Sequence, residues 1–308
     1  MKKLFLPILA VCCLAASCSR NGGDAAVKSI SLDRPVLMLG VGVPVTLHAI
    51  SKPAKSAASF EWTSDNPGIA SVTADGVVTG VSAGETHICA KLDGKVASCQ
   101  VRVCPVPSAV DLGLGGTKWA SFNIGASSEN EPGQPFKWAA VVPIDMNPET
   151  PYIETVNQDG PPMRFATKYC LNSEYGLDGY SDLLSILEAQ DDAATQILGA
   201  GWRTPTRSEY TQLFQACTWT WVANKNCFKI SNKLESSKYI YLTVTGHPNG
   251  AFDQQKGYYW TCNVDKNDPT SAYSYQIAHV SDVITSDLHT IVSSSRMGTY
   301  YIRAVREY

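Results

Sequence analysis

Residues 60–84, FEWTSDNPGIASVTADGVVTGVSAG, decide how the front of this chain folds. Phe60 and Trp62 stand two apart, the period that puts both on one face of a strand. Asp75-Gly76 lies between two short β-branched runs and reads as a hairpin turn. Working outward, Val43, Val45, Leu47 and Ala49 alternate with Pro44, Thr46 and His48. Ile88, Ala90 and Leu92 share a face, as do Cys99, Val101 and Val103, and Asp93-Gly94 sits between those two runs as a second hairpin turn. Short strands at this spacing predict an all-β sandwich over residues 27–104. Cys89 shares its phase with His87 and Lys91 and leaves the opposite face from Cys99, so the pattern disfavours a disulfide between them.

The quoted stretch carries W-x-S-x-N-P at Trp62–Pro67, then Ile69-Ala70-Ser71-Val72, then G-x-V-T-G-V-x-A-G from Gly76 to Gly84. In that order these motifs resemble the group 2 bacterial immunoglobulin-like domain. The resemblance implies a rigid spacer or adhesion module with no catalytic site.

Upstream, Lys2 and Lys3 precede the apolar run Leu4–Leu14, then Ala15, Ala16, Ser17 and Cys18. Basic, apolar and small segments in this order read as an export signal over residues 1–17. The run is shorter than the ~20 apolar residues a membrane span needs. A cysteine directly after the small residues resembles a lipobox, with Ala15 where leucine is usual. The expectation is lipidation at Cys18, a tether over 18–26, and a protein held at the outer membrane or cell surface by lipid. The net formal charge of −3 gives no electrostatic reason to expect nucleic acid.

Downstream, residues 104–108 form a proline-containing joint, and a second domain runs over 107–308. Thr206 and Glu209 make a T-x-x-E capping box. Tyr210, Leu213, Phe214 and Cys217 follow at helical spacing, which predicts a helix over 207–217. Asp191-Asp192 starts a shorter helix that Gly199 stops. The polar segments 144–162 and 263–271 read as loops. Two helices among irregular strands predict an α+β domain. Gly201-Trp202-Arg203-Thr204-Pro205-Thr206 with Glu209, and the closing Arg303-Ala304-Val305-Arg306, resemble the major paralogous domain family (FISUMP), which is similar to the C-type-lectin-like fold. That resemblance implies a surface-exposed α+β domain and no defined chemistry.

The five histidines are scattered, and neither HExxH nor Gly-x-Ser-x-Gly occurs. Asp191-Asp192 could be imagined as a glycosidase pair, but two acids at a helix start complement its dipole. Cys262 has no basic partner in view. The expectation is therefore no enzyme and no cofactor, with a weak metal alternative at Asn263, Asp265 and Asp268, oxygen donors in one loop. Trp119, Trp202 and Trp260 sit inside motifs and are read as core. Trp221 and Tyr258 are the candidate ligand platforms, each a planar ring beside a polar loop. The function expected is a non-catalytic adhesion or ligand-binding module for a glycan or protein. The alternatives are a structural or tip subunit of a surface appendage and, less favoured, a polysaccharide-acting enzyme.

Overall fold

The computed structural model describes residues 26–54, 59–148, 151–157, 162–244, 246, 256–279 and 289–307. The described residues are mostly β-sheet, with two short α-helices among them. The first nine strands are β1 (Ser29–Leu32), β2 (Val36–Gly40), β3 (Pro44–Thr46), β4 (Ala49–Lys52), β5 (Glu61–Ser64), β6 (Ala70–Val72), β7 (Val77–Gly80), β8 (Gly84–Leu92) and β9 (Lys95–Cys104). One sheet runs β2-β9-β8-β5 and the other β3-β7-β6, with β1 paired to β4. Between the sheets Leu37, Leu39, Leu47, Ala70, Val78, Ile88, Cys99, Val101 and Val103 make a core, and Trp62 packs at its rim.

The turns form where the sequence places them. Asp93 and Gly94 both take positive φ (49° and 74°), as the primed turns that match strand twist require, and join β8 to β9. In that register Cys99 faces Ile88, while Cys89 lies opposite Thr63 and Ser98. Cys99 is buried, Cys89 only half-buried, and both thiols are free.

The second part begins with β10 (Ala109–Leu114), β11 (Thr117–Ala120), β12 (Phe136–Lys137), β13 (Ile153–Val156) and β14 (Met163–Ala166). Helix α1 (Ala193–Leu198), β15 (Trp202–Arg203), helix α2 (Arg207–Ala216), β16 (Cys217–Val222), β17 (Cys227–Asn232) and β18 (Tyr239–Thr243) follow. The chain closes with β19 (Lys256–Val264), β20 (Ser271–Ala278), β21 (His289–Ser295), β22 (Thr299–Tyr300) and β23 (Val305–Arg306). Part of the segment expected to be loop is a strand, because Ile153–Val156 pairs antiparallel with Met163–Ala166.

Thr206 caps α2 with the full reciprocal box, and the helix runs to Ala216, one residue short of the predicted end. Asp192 caps α1, accepting from the Ala194 amide, and Gly199 ends it at φ 88°. Strand alternation then splits the interior in two. Along β19, Tyr258 and Trp260 enter one core while Tyr259 enters the other. The first core also takes Met38 and Cys104 from the sandwich, packed with Ala193, Ile197 and Leu198 of α1. A Cβ on Gly40 would lie 3.0 Å from the Ile197 carbonyl oxygen, so the two parts meet at backbone distance there. Arg102 of the sandwich adds a polar clasp, donating from Nε to Glu85 at 2.7 Å and from Nη1 to Asp145 at 2.8 Å.

Candidate functional site

Two motifs about a hundred residues apart in sequence meet at one sheet edge. In the sheet β10-β11-β23-β15, Trp202 pairs with Arg306 and Arg203 with Val305. Opposed residues in antiparallel strands share a face, so Arg306 lies over the Trp202 indole, 5.3 Å from its centroid. Trp202 itself packs into the first core. Arg203 points the other way and grips Glu209 with two bonds of 2.8 and 2.7 Å, and Glu307 with one of 3.1 Å.

Beside this edge opens a cleft of about 610 Å³, walled by Ile186, Leu187, Trp202, Arg203, Arg306 and Glu307. Asp192, Thr204 and Cys262 line it as well. Most of its reactive groups are already engaged. Asp192 accepts from the Thr204 amide (2.8 Å) and hydroxyl (2.7 Å) and from the Ala194 amide (2.9 Å). Burial pushes its carboxyl above the usual value, against those bonds. Burial lifts the Cys262 thiol to about 12, which leaves it protonated at neutral pH. Burial also works to raise the Glu209 carboxyl, but the bonds from Arg203 and the Thr206 amide outweigh it and hold the group below its ordinary range. Two features are left open. Ile186 is 48% exposed, and no ion pair joins the Arg306 guanidinium to a described carboxylate.

The two platform candidates are not brought together. Trp221 is half-buried on β16, on the same face as the core residue Trp219, with its ring stacked on His279 at 4.0 Å and 8° and packed against Phe228. Tyr258 is 8% exposed and belongs to the first core, where it stacks on Tyr300. The expectation that Tyr258 presents a ring at the surface is therefore corrected. The alternation of β19 sends it inward with Trp260, which sequence proximity to a loop did not reveal.

The loop donors also have other work. Asn263 Oδ1 accepts from the Arg207 amide at 2.9 Å, at the start of α2. Asp265 Oδ1 accepts from the Asn267 amide (2.9 Å) and the Tyr273 hydroxyl (3.0 Å). Asp268 holds the Thr270 and Ser271 hydroxyls at 2.6 and 2.9 Å. Among the described residues, no group of three or more His, Cys, Asp or Glu side chains converges as metal ligands would. Asp191 and Asp192 also turn to separate partners. Asp191 takes the Tyr152 and Tyr169 hydroxyls and Lys168 Nζ, each at 2.6 Å. Cys18 lies outside the described residues.

Sequence reading missed two fully buried arginines. Arg303 donates to Asn123 Oδ1 (2.7 Å), to the Ala120 carbonyl (2.9 Å) and to the Tyr241 carbonyl, tying three segments together. Arg296 lies 4.7 Å from the Trp138 ring and donates to the Lys168, Pro269 and Pro151 carbonyls. Burial lowers both guanidiniums to about 10. The signal for Arg303 was its place in the closing motif.

Residues 26–101 match the sequence profile of the bacterial Ig-like domain (group 2). No curated protein matches the chain. Among solved structures, the S-layer protein rSbsC(31-844) is similar at 16% identity and a TM-score of 0.25, over 46% of this chain and 22% of that one. The chain thus spans about a fifth of that protein. Domains 5-6 of the S-layer protein SbsC give 12% identity and a TM-score of 0.26, over 90% of this chain and 96% of that one. Invasin, a bacterial integrin-binding protein, gives 14% identity and a TM-score of 0.18, over 91% and 59%.

Proposed function

We propose that this is a lipid-anchored protein of the cell envelope, exposed at the surface, whose second domain is a non-catalytic module that binds a glycan or protein ligand. In this reading the Ig-like sandwich is a spacer. The second domain is lectin-like, on the resemblance of its Gly201–Glu209 and Arg303–Arg306 motifs. One observation carries the binding role. The cleft leaves an apolar wall (Ile186, Leu187) and a cation laid on an indole (Arg306 on Trp202) open to solvent, while its carboxylates and thiol are committed to internal partners or protonated. A concave site of apolar walls with a few convergent polar groups is the usual form of a ligand pocket.

An array of glycans and extracellular-matrix proteins, probed with the full chain, tests the role. Arg306→Ala and Ile186→Asp should each weaken capture about tenfold or more with little change in melting temperature. Capture that persists in both variants refutes the cleft. For the anchor, Cys18→Ala should abolish fatty-acid labelling and release the protein from the membrane fraction. Continued labelling would place the anchor elsewhere.

A further inference from the structure

The outer face of the β16-β17-β18 sheet carries an arrangement that the cleft does not use. The registers align Thr220, Lys229 and Tyr241 in one row and Thr218, Ser231 and Tyr239 in the next. Lys229 Nζ sits 4.2 Å from the Tyr239 ring centroid and Lys225 Nζ 4.3 Å from that of Tyr241. The two rings are 5.3 Å apart. Two ammonium groups are thus held side by side on a tyrosine pair, flanked by the exposed Thr218 and Thr220. Neither Lys225 nor Lys229 has an ion pair with a described carboxylate, whereas Lys238 reaches Glu235 at 2.6 Å. Residues 217–243 hold four lysines and a single acid, Glu235, in a chain whose net charge is −3. Local positive charge collected on one face of an acidic protein attracts anions there.

We infer that this face binds an acidic polysaccharide, with sugar carboxylates or sulfates on Lys225 and Lys229 and sugar hydroxyls on Thr218 and Thr220. Charge complementarity selects the class, and the exposed hydroxyls of Thr218 and Thr220 beside the two ammonium groups favour a saccharide over other polyanions, while Ser231 and Tyr241 are buried beneath them. Duplex DNA carries one charge per about 1.7 Å and rewards many simultaneous contacts, which two unpaired lysines on an acidic chain do not supply. The face shares no residue with the cleft, so the inference stands apart from the proposed ligand site.

The test measures full chain binding to immobilised polygalacturonate and sulfated dextran, with neutral dextran as control. Anionic vesicles and duplex DNA serve as competing probes, the vesicles because Leu234 is 94% exposed at the β17–β18 turn. We expect binding to the acidic polymers and not to neutral dextran. Raising salt from about 50 to 200 mM should weaken it roughly tenfold, as release of counterions by two lysines requires. Lys225→Gln with Lys229→Gln should lose about tenfold at low salt. Lys225→Arg with Lys229→Arg should retain binding, and Arg306→Ala should leave it unchanged. The inference is overturned if the acidic polymers do not bind, if the glutamine pair binds as the natural chain does, or if neutral dextran binds equally. It is also overturned if vesicles or DNA, and not the polysaccharides, depend on the two lysines.

Discussion

Lowering the pH should destabilise the second domain through one imidazole. His289 packs between Phe214 (ring centroids 4.0 Å apart) and Trp219 (4.4 Å), with Nδ1 2.8 Å from the Tyr275 hydroxyl and a buried Nε2 that has no hydrogen-bond partner among the described residues. Protonation would put a charge among aromatic rings and leave its second N–H unmatched. Burial accordingly lowers the His289 pKa to about 4. An unfolded histidine takes up its proton near pH 6.5. Between these values the unfolded chain binds the proton and the folded chain does not, so stability rises with pH there and is lost as pH falls from about 6.5 toward 4. The two pKa values give a loss of about 3 kcal/mol by pH 4, with a slope of up to ~1.4 kcal/mol per pH unit.

Urea denaturation at fixed pH values from 7.5 to 4, on the natural chain and His289→Phe, measures this. The variant leaves the buried Tyr275 hydroxyl without its partner, which costs about 1–3 kcal/mol at pH 7. Its pH dependence over the same window should nevertheless be shallower by about 3 kcal/mol in total. Carboxylates that titrate below this range contribute equally to both proteins and cancel. If the two pH profiles run parallel, the imidazole is not held neutral by burial and the reasoning fails.

Arg102→Ala and Asp145→Ala should each cost about 1 kcal/mol, less than a fully buried pair because Asp145 is half exposed, and the double variant should cost less than their sum. Strict additivity in denaturation would show that the clasp between the two parts contributes nothing. Trp202→Ala should cost about 3–5 kcal/mol and unfold the second domain, while half-buried Trp221→Ala should cost about 1–2 kcal/mol. Equal losses in thermal melts would put Trp221 fully in the core. Arg303→Ala strands three buried acceptors at about 1–3 kcal/mol each and should leave the second domain unable to fold. A soluble variant with the natural melting temperature would show that Arg303 is dispensable.

Local rules that act within a few residues were legible before any coordinates. Asp93-Gly94 can take positive φ, and the alternation of Ile88, Ala90, Cys99, Val101 and Val103 left one sandwich face to bury. Thr206 and Glu209 capped their helix because a side chain three residues away is all the box requires. The open side of the cleft was not legible. Arg306 reaches Trp202 only because β15 and β23 pair across a hundred residues, and nothing near either residue encodes that pairing. Tyr258 shows the limit from the other side. Tyr258, Tyr259 and Trp260 put aromatic rings on both faces of the strand, so period two assigned each ring to a face without saying which faces would be covered. Two cores cover both faces, and that is a property of the assembled sheets. Likewise, the lysines at 225 and 229 are ordinary surface charges in sequence. Strand register and the tyrosines of the neighbouring strand set them side by side. Sequence thus determined the sandwich strands, their turns and the α2 cap, because turns, caps and alternation are short-range, whereas the strand at Ile153–Val156 emerged only from its pairing with Met163–Ala166. Tertiary structure decided which side chains face water together, because that depends on which strands end as neighbours.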